Sequence, residues 1–202
     1  MVEINPHDLL KIRSIKDLTG NLPDWALKMF PESMTVVVRR SPIVDDKIPV
    51  GIRGMKREQR LASFVNRADI VRVTTPYELV QKQLWKTARQ DLPAINALPA
   101  VSEILKNYRW GISGSVGFEL ATATHTAKMS SDLDLVWQAE NPLSQNEAKE
   151  LLKRLNQFGV HADLQVIQGG NGFSLEEYSQ SKSTIMMKTL TGPILVENPW
   201  NK

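Results

Sequence analysis

Two carboxylates alternate within a short apolar stretch, residues 131–137, and this pattern restricts what the segment can form. In a β-strand alternate side chains share a face, so Asp132 and Asp134 would project together about 6.6 to 7 Å apart, while the leucines point the other way. Asp163 lies in a second apolar stretch, residues 160–167. If the two strands pair at a spacing of about 4.8 Å, a third carboxylate reaches the same surface. The sequence therefore predicts a sheet face that carries three carboxylates.

Converging carboxylates predict a site for a divalent metal. Two like charges about 4 Å apart repel by roughly 4 kcal/mol at an effective dielectric near 20, so a counter-charge is expected. Mg²⁺, with Mn²⁺ as a second candidate, takes carboxylate oxygens and leaves positions for substrate phosphates. Asp132 and Asp134 would bind the metal, and Asp163 would complete the site of an attacking oxygen. The alternative is a solvated strand edge or turn, which the apolar flanks disfavour.

Glycine followed by serine, Gly114 and Ser115, stands between a predicted strand over residues 108–112 and a predicted helix over residues 116–121. Backbone N–H groups and a hydroxyl at the start of a helix suit a phosphate, and the helix dipole favours the negative charge. With the carboxylates downstream, these residues predict metal-assisted nucleotidyl transfer as the chemistry of the site.

Two lysines are further candidates for phosphate contacts. Lys128 lies in the predicted loop over residues 122–130, and Lys188 follows an apolar run. The alternative for each is an ordinary surface lysine. His125 and His161 have no motif partner, so we interpret both as structural.

Composition excludes several classes of protein. The chain of 202 residues is 42% hydrophobic, enough for one core or two small ones. It has no cysteine and three histidines, which excludes disulfides and thiol nucleophiles and disfavours a zinc site. We expect no membrane span and no signal peptide, and hence a cytoplasmic location, because no apolar stretch of about 18 residues is present. Arginines and lysines crowd into the first half, but without aromatic platforms, so nucleic acid is not an expected partner.

The pattern of elements divides the chain into a small basic amino-terminal domain, residues 1–75, and a catalytic domain, residues 76–202. The elements predicted in the first are a helix over 23–30, strands over 34–38 and 48–52, turns at 45–46 and 51–54, and a helix over 56–65. In the catalytic domain, four more helices are predicted: over 76–90, from 99 onwards, over 144–158 and after 174. Two more strands are predicted, over 184–188 and 194–196.

Several motifs resemble one known family. They are residues 114–121, 131–137, 172–178 and 188–200, with 38–40 and 50–60 in the first half. Together they are similar to the phosphoribosyl-dephospho-CoA transferase (MdcG) family, the holo-acyl-carrier-protein synthases of malonate decarboxylase. The expected fold is α+β, a nucleotidyltransferase-like mixed sheet flanked by helices, with a small α+β amino-terminal domain.

The resemblance implies a specific reaction. Members of this family transfer the phosphoribosyl-dephospho-CoA group of 2'-(5''-triphosphoribosyl)-3'-dephospho-CoA to a serine of the apo acyl carrier subunit, with release of pyrophosphate, and Asp132 and Asp134 match their metal-binding pair. Acyl carrier proteins are usually acidic, so the basic first half is a candidate docking region. Two alternatives stay open: nucleotidyl transfer from a common nucleoside triphosphate to a small molecule, tRNA or another protein, and a pseudoenzyme that only binds the carrier.

Overall fold

The computed structural model describes residues 3–29, 35–54 and 58–201. The chain divides into two compact units, Met1–Thr75 and Pro76–Lys202. Each unit contains one β-sheet, helices and its own cluster of buried apolar side chains. The predicted α+β fold class is confirmed.

The amino-terminal unit is a five-stranded antiparallel sheet in the order β4-β3-β2-β1-β5. Its elements are β1 (Leu9–Ile12), α1 (Asp24–Met29), β2 (Thr35–Val38), β3 (Lys47–Arg53), β4 (Arg60–Asn66) and β5 (Ile70–Thr74), with 3₁₀ turns at Ile15–Asp17 and Arg67–Asp69. Alternate side chains of the strands are buried, as in Val36, Val38, Ile48 and Val50, and they pack with Ala26 of α1 in one core. Such alternation is what a sheet with one covered face requires.

Two predictions in this unit are wrong. Residues 60–65 belong to strand β4 rather than to a helix over 56–65, because β4 pairs with β3 over seven consecutive positions and this pairing overrides the helical preference of the charged residues before it. Residues 51–53 are the end of β3 and not a turn. The turn at Asp45 and Asp46 is confirmed. Phe30, Met34, Lys56 and Arg57, which these predictions include, lie outside the described residues.

The carboxy-terminal unit is built on a six-stranded sheet in the order β11-β10-β9-β8-β7-β6. Its strands are β6 (Trp110–Ile112), β7 (Leu133–Gln138), β8 (Ala162–Gln168), β9 (Asn171–Ser174), β10 (Ile185–Thr189) and β11 (Gly192–Val196). Its helices are α2 (Pro76–Gln81), α3 (Pro93–Ile104), α4 (Gly114–Thr122), α5 (Gln145–Leu155) and α6 (Leu175–Gln180). Strands β7 and β8 pair in parallel, and every other pair is antiparallel.

Helix α5 is the crossover that the parallel pair needs. The predicted helix over 144–158 begins at a capping box: the Ser144 side chain accepts from Glu147 N–H, and the Glu147 carboxylate accepts from Ser144 N–H. A 3₁₀ turn, Asn156–Phe158, and Gly159 at φ +73° end the helical segment. The chain is thereby returned to the same end of the sheet before β8 begins.

Two helix predictions in this unit are wrong in extent. The helix predicted over 76–90 ends at Gln81, and Gln83 adopts φ +48° before a 3₁₀ turn at Leu84–Lys86. Helix α3 starts at Pro93, so the exposed Pro99, taken as a first helical residue, lies inside it. Trp110 and Trp137 are buried in the core, and Trp137 meets Trp200 edge to face at 6.0 Å between ring centroids. No helix in the described part of the chain is long and apolar enough to cross a membrane.

Candidate active site

The parallel pairing of β7 and β8 places Asp134 directly beside Asp163. Register partners on neighbouring strands point to the same face of a sheet and are separated by about 4.8 Å between strand axes. Both residues are half-buried, while their neighbours Leu133, Leu135 and Leu164 point into the core. The structure therefore brings together these two of the three predicted carboxylates.

Asp132 precedes β7 by one residue and is exposed. The pairing with β8 continues to this point, because Leu133 N–H donates to His161 O at 2.8 Å. Within the described ranges, no group of three or more His, Cys, Asp or Glu side chains is placed to hold a metal ion. The carboxylates that the sheet offers to a metal are thus Asp134 and Asp163, and Asp132 lies exposed just before β7.

Helix α4 begins against the Asp134 side chain. Ser113 N–H donates to Asp134 O at 2.9 Å, which fixes the end of β6 to β7. Gly114 adopts φ +62°, and a Cβ at this position would lie 2.8 Å from Asp134 Cβ and overlap its carboxylate. Only glycine fits both the backbone and the contact. The positive end of the α4 dipole and the first N–H groups of the helix, which have no intrahelical acceptor, therefore border the carboxylate pair.

Ser115, the second residue of α4, binds the loop that returns to β7. Its hydroxyl donates to Ser131 Oγ at 3.2 Å, and its carbonyl accepts from Thr126 Oγ1 at 2.8 Å. Ser131 Oγ also accepts from Lys128 N–H at 2.9 Å, which closes a turn over residues 128–131. The exposed Lys128 thus sits in a turn that is tied to α4 and that leads directly into Asp132.

An ion pair between the buried Glu119 and the half-buried Arg89 holds the backbone of the same loop. Glu119 of α4 is 5% exposed and accepts from Arg89 Nε at 2.5 Å and from Arg89 Nη2 at 3.2 Å. Its second oxygen accepts from the N–H groups of Thr126 and Ala127, each at 2.9 Å. Arg89 Nη2 in turn donates to Ala127 O at 2.6 Å. Residues 126–127 are therefore held on both their N–H and C=O sides.

The pKa of Glu119 reflects these contacts. Burial alone raises the pKa of this carboxyl, but the hydrogen bonds from Arg89, Ala127 and Thr126 together with the Arg89 charge outweigh burial and hold the pKa below its ordinary 4.5. The same pairing raises the pKa of Arg89 above its ordinary value. The pair is charged at neutral pH.

Neither Glu119 nor Arg89 belongs to a sequence motif that indicates its role in the loop. Glu119 stands between Phe118 and Leu120 in an otherwise uncharged helix, and this isolation is the signal that could have indicated a buried carboxylate. Arg89 is 30 residues away, so no local pattern connects the two.

Lys188 is placed on the carboxylate face but away from the pair. Cross-strand partners connect Lys188 to Gly172 and Gly172 to Ile167. Ile167 is four residues along β8 from Asp163, so Lys188 lies two strands over and about 16 Å from it by strand geometry. Lys188 is exposed there and does not join the other candidates.

The residues present fit a divalent metal. Mg²⁺ is commonly bound through one or two carboxylates together with substrate phosphates, and keeps several waters. Asp134 and Asp163 supply the carboxylates, and the start of α4 supplies N–H donors for phosphate oxygens beside them.

Comparisons with known proteins identify the family. The model of the phosphoribosyl-dephospho-CoA transferase MdcG amino-terminal domain matches residues 5–76, and that of the carboxy-terminal domain matches residues 81–199. The chain belongs to the phosphoribosyl-dephospho-CoA transferase family. It is a transferase, and all the candidate residues described above lie within the match to the carboxy-terminal domain of that family.

Relatives named phosphoribosyl-dephospho-CoA transferase match nearly full length. One from Klebsiella pneumoniae (strain 342) is 36% identical over 200 residues, covering 98% of this chain and 96% of the relative. One from Pseudomonas fluorescens (strain Pf0-1) is 34% identical over 197 residues, covering 96% and 94%. One from Azotobacter vinelandii (strain DJ) is 34% identical over 200 residues, covering 98% and 94%. No solved structure matches the chain.

Gly114→Ala should reduce transferase activity by about a hundredfold or more, because the added methyl group displaces the Asp134 carboxylate by roughly an ångström. Gly159→Ala is a matched control: Gly159 also has positive φ, +73°, but nothing lies within 4 Å of its Cβ position. Alanine at either position has the strain of a positive φ. A comparison of the two variants at equal folded fractions therefore measures the effect of the contact with Asp134 alone. Equal activity in the two variants would contradict the placement of Asp134 against α4.

Glu119→Gln should lower the free energy of unfolding at neutral pH by about 1 to 3 kcal/mol, because an amide cannot accept at both positions and leaves a buried donor unsatisfied. Since the folded pKa of Glu119 is depressed, its contribution is complete above pH 4.5 and is lost as pH falls through the lowered value. The difference from wild type, measured by urea unfolding, should therefore shrink on acidification. Glu103→Gln, at an exposed position of α3, should show no such difference. A deficit for Glu119→Gln that persisted unchanged at low pH would oppose this account.

Proposed function

We propose that the chain transfers the phosphoribosyl-dephospho-CoA group from 2'-(5''-triphosphoribosyl)-3'-dephospho-CoA to a serine of the apo acyl carrier subunit of malonate decarboxylase, with release of pyrophosphate. The observation that carries the proposal is the Asp134–Asp163 register pair beside the start of α4, in a chain of this family. Carboxylates next to the start of a helix suit a reaction in which a triphosphate binds and a phosphate ester forms.

Each part of the site has a role in this proposal. The first N–H groups of α4 bind oxygens of the triphosphate, and the helix dipole favours their charge. Gly114 lets the backbone approach both the phosphates and Asp134. Asp163, the register partner of Asp134, would complete the site of the attacking serine oxygen and raise the fraction of alkoxide there. Lys128, in the turn tied to Ser115, is placed to contact outer phosphate oxygens.

Asp132, Asp134 and Asp163 are the candidates to hold divalent metal, Mg²⁺ or Mn²⁺. A bound pair of such ions supplies charge stabilisation for the phosphates and lowers the pKa of the attacking hydroxyl. Asp132, exposed one residue before β7, would be the third carboxylate available to such an ion.

Lys188 has a more distant role in the proposal. Its separation of about 16 Å from Asp163 exceeds the reach of a lysine side chain, so it does not meet the same phosphate. The donor is long, and the exposed Lys188 lies on the same sheet face. We assign it to the dephospho-CoA part of the donor.

The test is transfer itself. Incubation with the apo carrier subunit, the triphosphoribosyl donor and Mg²⁺ should add the mass of one phosphoribosyl-dephospho-CoA group to one carrier serine and release pyrophosphate. Asp134→Asn should lower the rate by about a thousandfold, equivalent to roughly 4 kcal/mol of lost transition-state stabilisation, with the fold retained.

The control is Glu140→Gln, an exposed carboxylate two residues beyond β7, which should keep the wild-type rate. Modification by ATP but not by the triphosphoribosyl donor would replace the proposal with transfer from a common nucleotide. Binding of the carrier with no mass gain under any condition would identify a pseudoenzyme instead.

A further inference from the structure

The five strands of the amino-terminal sheet contain five cationic residues and no Asp or Glu. The cations are Lys11, Lys47, Arg53, Arg60 and Arg72, and all five are exposed. Random placement would distribute them over both faces of the sheet, since alternate residues of a strand point to opposite sides. Their distribution can be read from the register.

The register places all five on the same face. Lys47 and Arg53 are six residues apart in β3 and share a side, and Arg53 pairs with Arg60 of β4. Val37 of β2 pairs with Gly51 on this side and also with Leu9 of β1, two residues from Lys11. Lys11 then pairs directly with Arg72 of β5. The register shift between β1 and β5 falls after Lys11, so the Lys11–Arg72 pair itself is in register with the rest of the face.

A sixth cation joins this face. Arg39 follows β2, its N–H donates to Pro49 O at 2.9 Å, and its Cγ lies 3.3 Å from the position a Cβ would take on Gly51. The exposed Arg39 side chain thus crosses the middle of the face. The opposite side of the sheet carries the buried residues Leu10, Val36, Ile48, Val50 and Val65, whereas on the basic side Leu9 and Pro49 are buried among the cations. We call the six residues Lys11, Arg39, Lys47, Arg53, Arg60 and Arg72 the basic sheet face.

The arrangement works against the stability of the isolated sheet. Arg53 opposite Arg60, and Lys11 opposite Arg72, are like charges in direct cross-strand positions, which is an unfavourable pairing. Four strand spacings make the face about 19 Å wide, more than twice the screening length of roughly 8 Å at physiological salt. A charged surface of this width presents a directed field to an approaching partner.

We propose that the basic sheet face is the docking surface for the acceptor protein, which contacts it through a carboxylate-rich surface; this rests on the proposed function for the identity of the acceptor. Phe64 supports a protein partner: it is 38% exposed, pairs with Pro49 on this face, and lies on β4 between Arg60 and Asn66, the register partner of Lys47, where it offers an apolar contact. It is the one aromatic residue in the five strands, whereas sheet surfaces that bind single-stranded nucleic acid stack several bases on aromatic side chains.

Docking of this kind affects association rather than chemistry. Complementary charge raises the rate of encounter and fixes orientation, and it weakens with salt. The surface lies on a unit separate from the one that carries Asp134 and Asp163. Loss of the basic sheet face should therefore raise KM for the acceptor and leave kcat and the KM for the donor unchanged.

The most informative variant is Lys11→Glu/Arg60→Glu. Each substitution converts a like-charge cross-strand pair into an opposite-charge pair, with Arg72 and with Arg53, so the thermal midpoint should equal or exceed that of wild type. The control is Lys16→Glu/Lys28→Glu, which makes the same net-charge change at exposed positions of the 3₁₀ turn Ile15–Asp17 and of α1, elements that pack on the apolar side of the sheet.

The experiment measures steady-state transfer to the apo carrier subunit and, separately, carrier binding by calorimetry. The face variant should raise KM and Kd for the carrier by about tenfold or more, with kcat within twofold and a flatter dependence on salt, while the control stays near wild type. Wild-type KM and Kd in the face variant would overturn the docking inference and leave the proposed function intact. An equal loss in the control would also overturn it, because net charge alone would then be responsible.

Two further outcomes separate the alternatives. If wild type binds the carrier without transferring the group, the proposed function fails, and the calorimetric comparison of the two variants still decides whether the face docks the carrier. A single-stranded oligonucleotide that binds wild type more tightly than the carrier, and that loses affinity in the face variant, would reassign the surface to nucleic acid and overturn the inference.

Discussion

The parallel register of β7 and β8 is the constraint on which the carboxy-terminal unit depends. Every other strand pair in that sheet is antiparallel, and only this pair requires a helical crossover, which α5 provides. A shift of one residue would turn Asp163 into the core and bring an apolar residue beside Asp134. The buried leucines on the other face oppose such a shift. The hydrophobic core therefore fixes the relative position of the two carboxylates, and the site is held by packing rather than by contacts between the charges.

The approach to the carboxylates is built by α4 and the loop after it. Gly114 lets the helix start against Asp134, while Glu119, one and a half turns later, binds the loop backbone at Thr126 and Ala127. One short helix thus positions both the N–H groups that suit a phosphate and the loop that leads into the carboxylate strand. Burying the Glu119 charge is costly, and its full set of hydrogen bonds with Arg89 offsets that cost. A loop that is fixed on both sides forms a preorganised border to the carboxylates, which suits the triphosphate donor that we propose.

Short sequence patterns predicted correctly those elements that depend on contacts between nearby residues. The capping box at Ser144 and the alternation around Asp134 predicted α5 and β7, because hydrogen bonds within a few residues determine them. Where pairing with distant residues determines the secondary structure, the local pattern gave a wrong prediction. Residues 60–65 form a strand and not a helix because they pair with β3. For the site, alternation indicated one face, but the loop support by Glu119 depends on Arg89, which no periodicity connects to it. The six residues of the basic sheet face are far apart in the sequence. Their common orientation becomes evident only from the register of the five strands.

In the proposed function Asp134 and Asp163 form one metal-binding unit beside the start of α4. Titration of Mn²⁺ into wild type, Asp134→Asn, Asp163→Asn and Glu140→Gln in the presence of pyrophosphate, with bound metal followed by electron paramagnetic resonance, tests this. Wild type and Glu140→Gln should bind Mn²⁺ alike, and each aspartate substitution should weaken binding at least about tenfold. Binding of equal strength in all four proteins would contradict it.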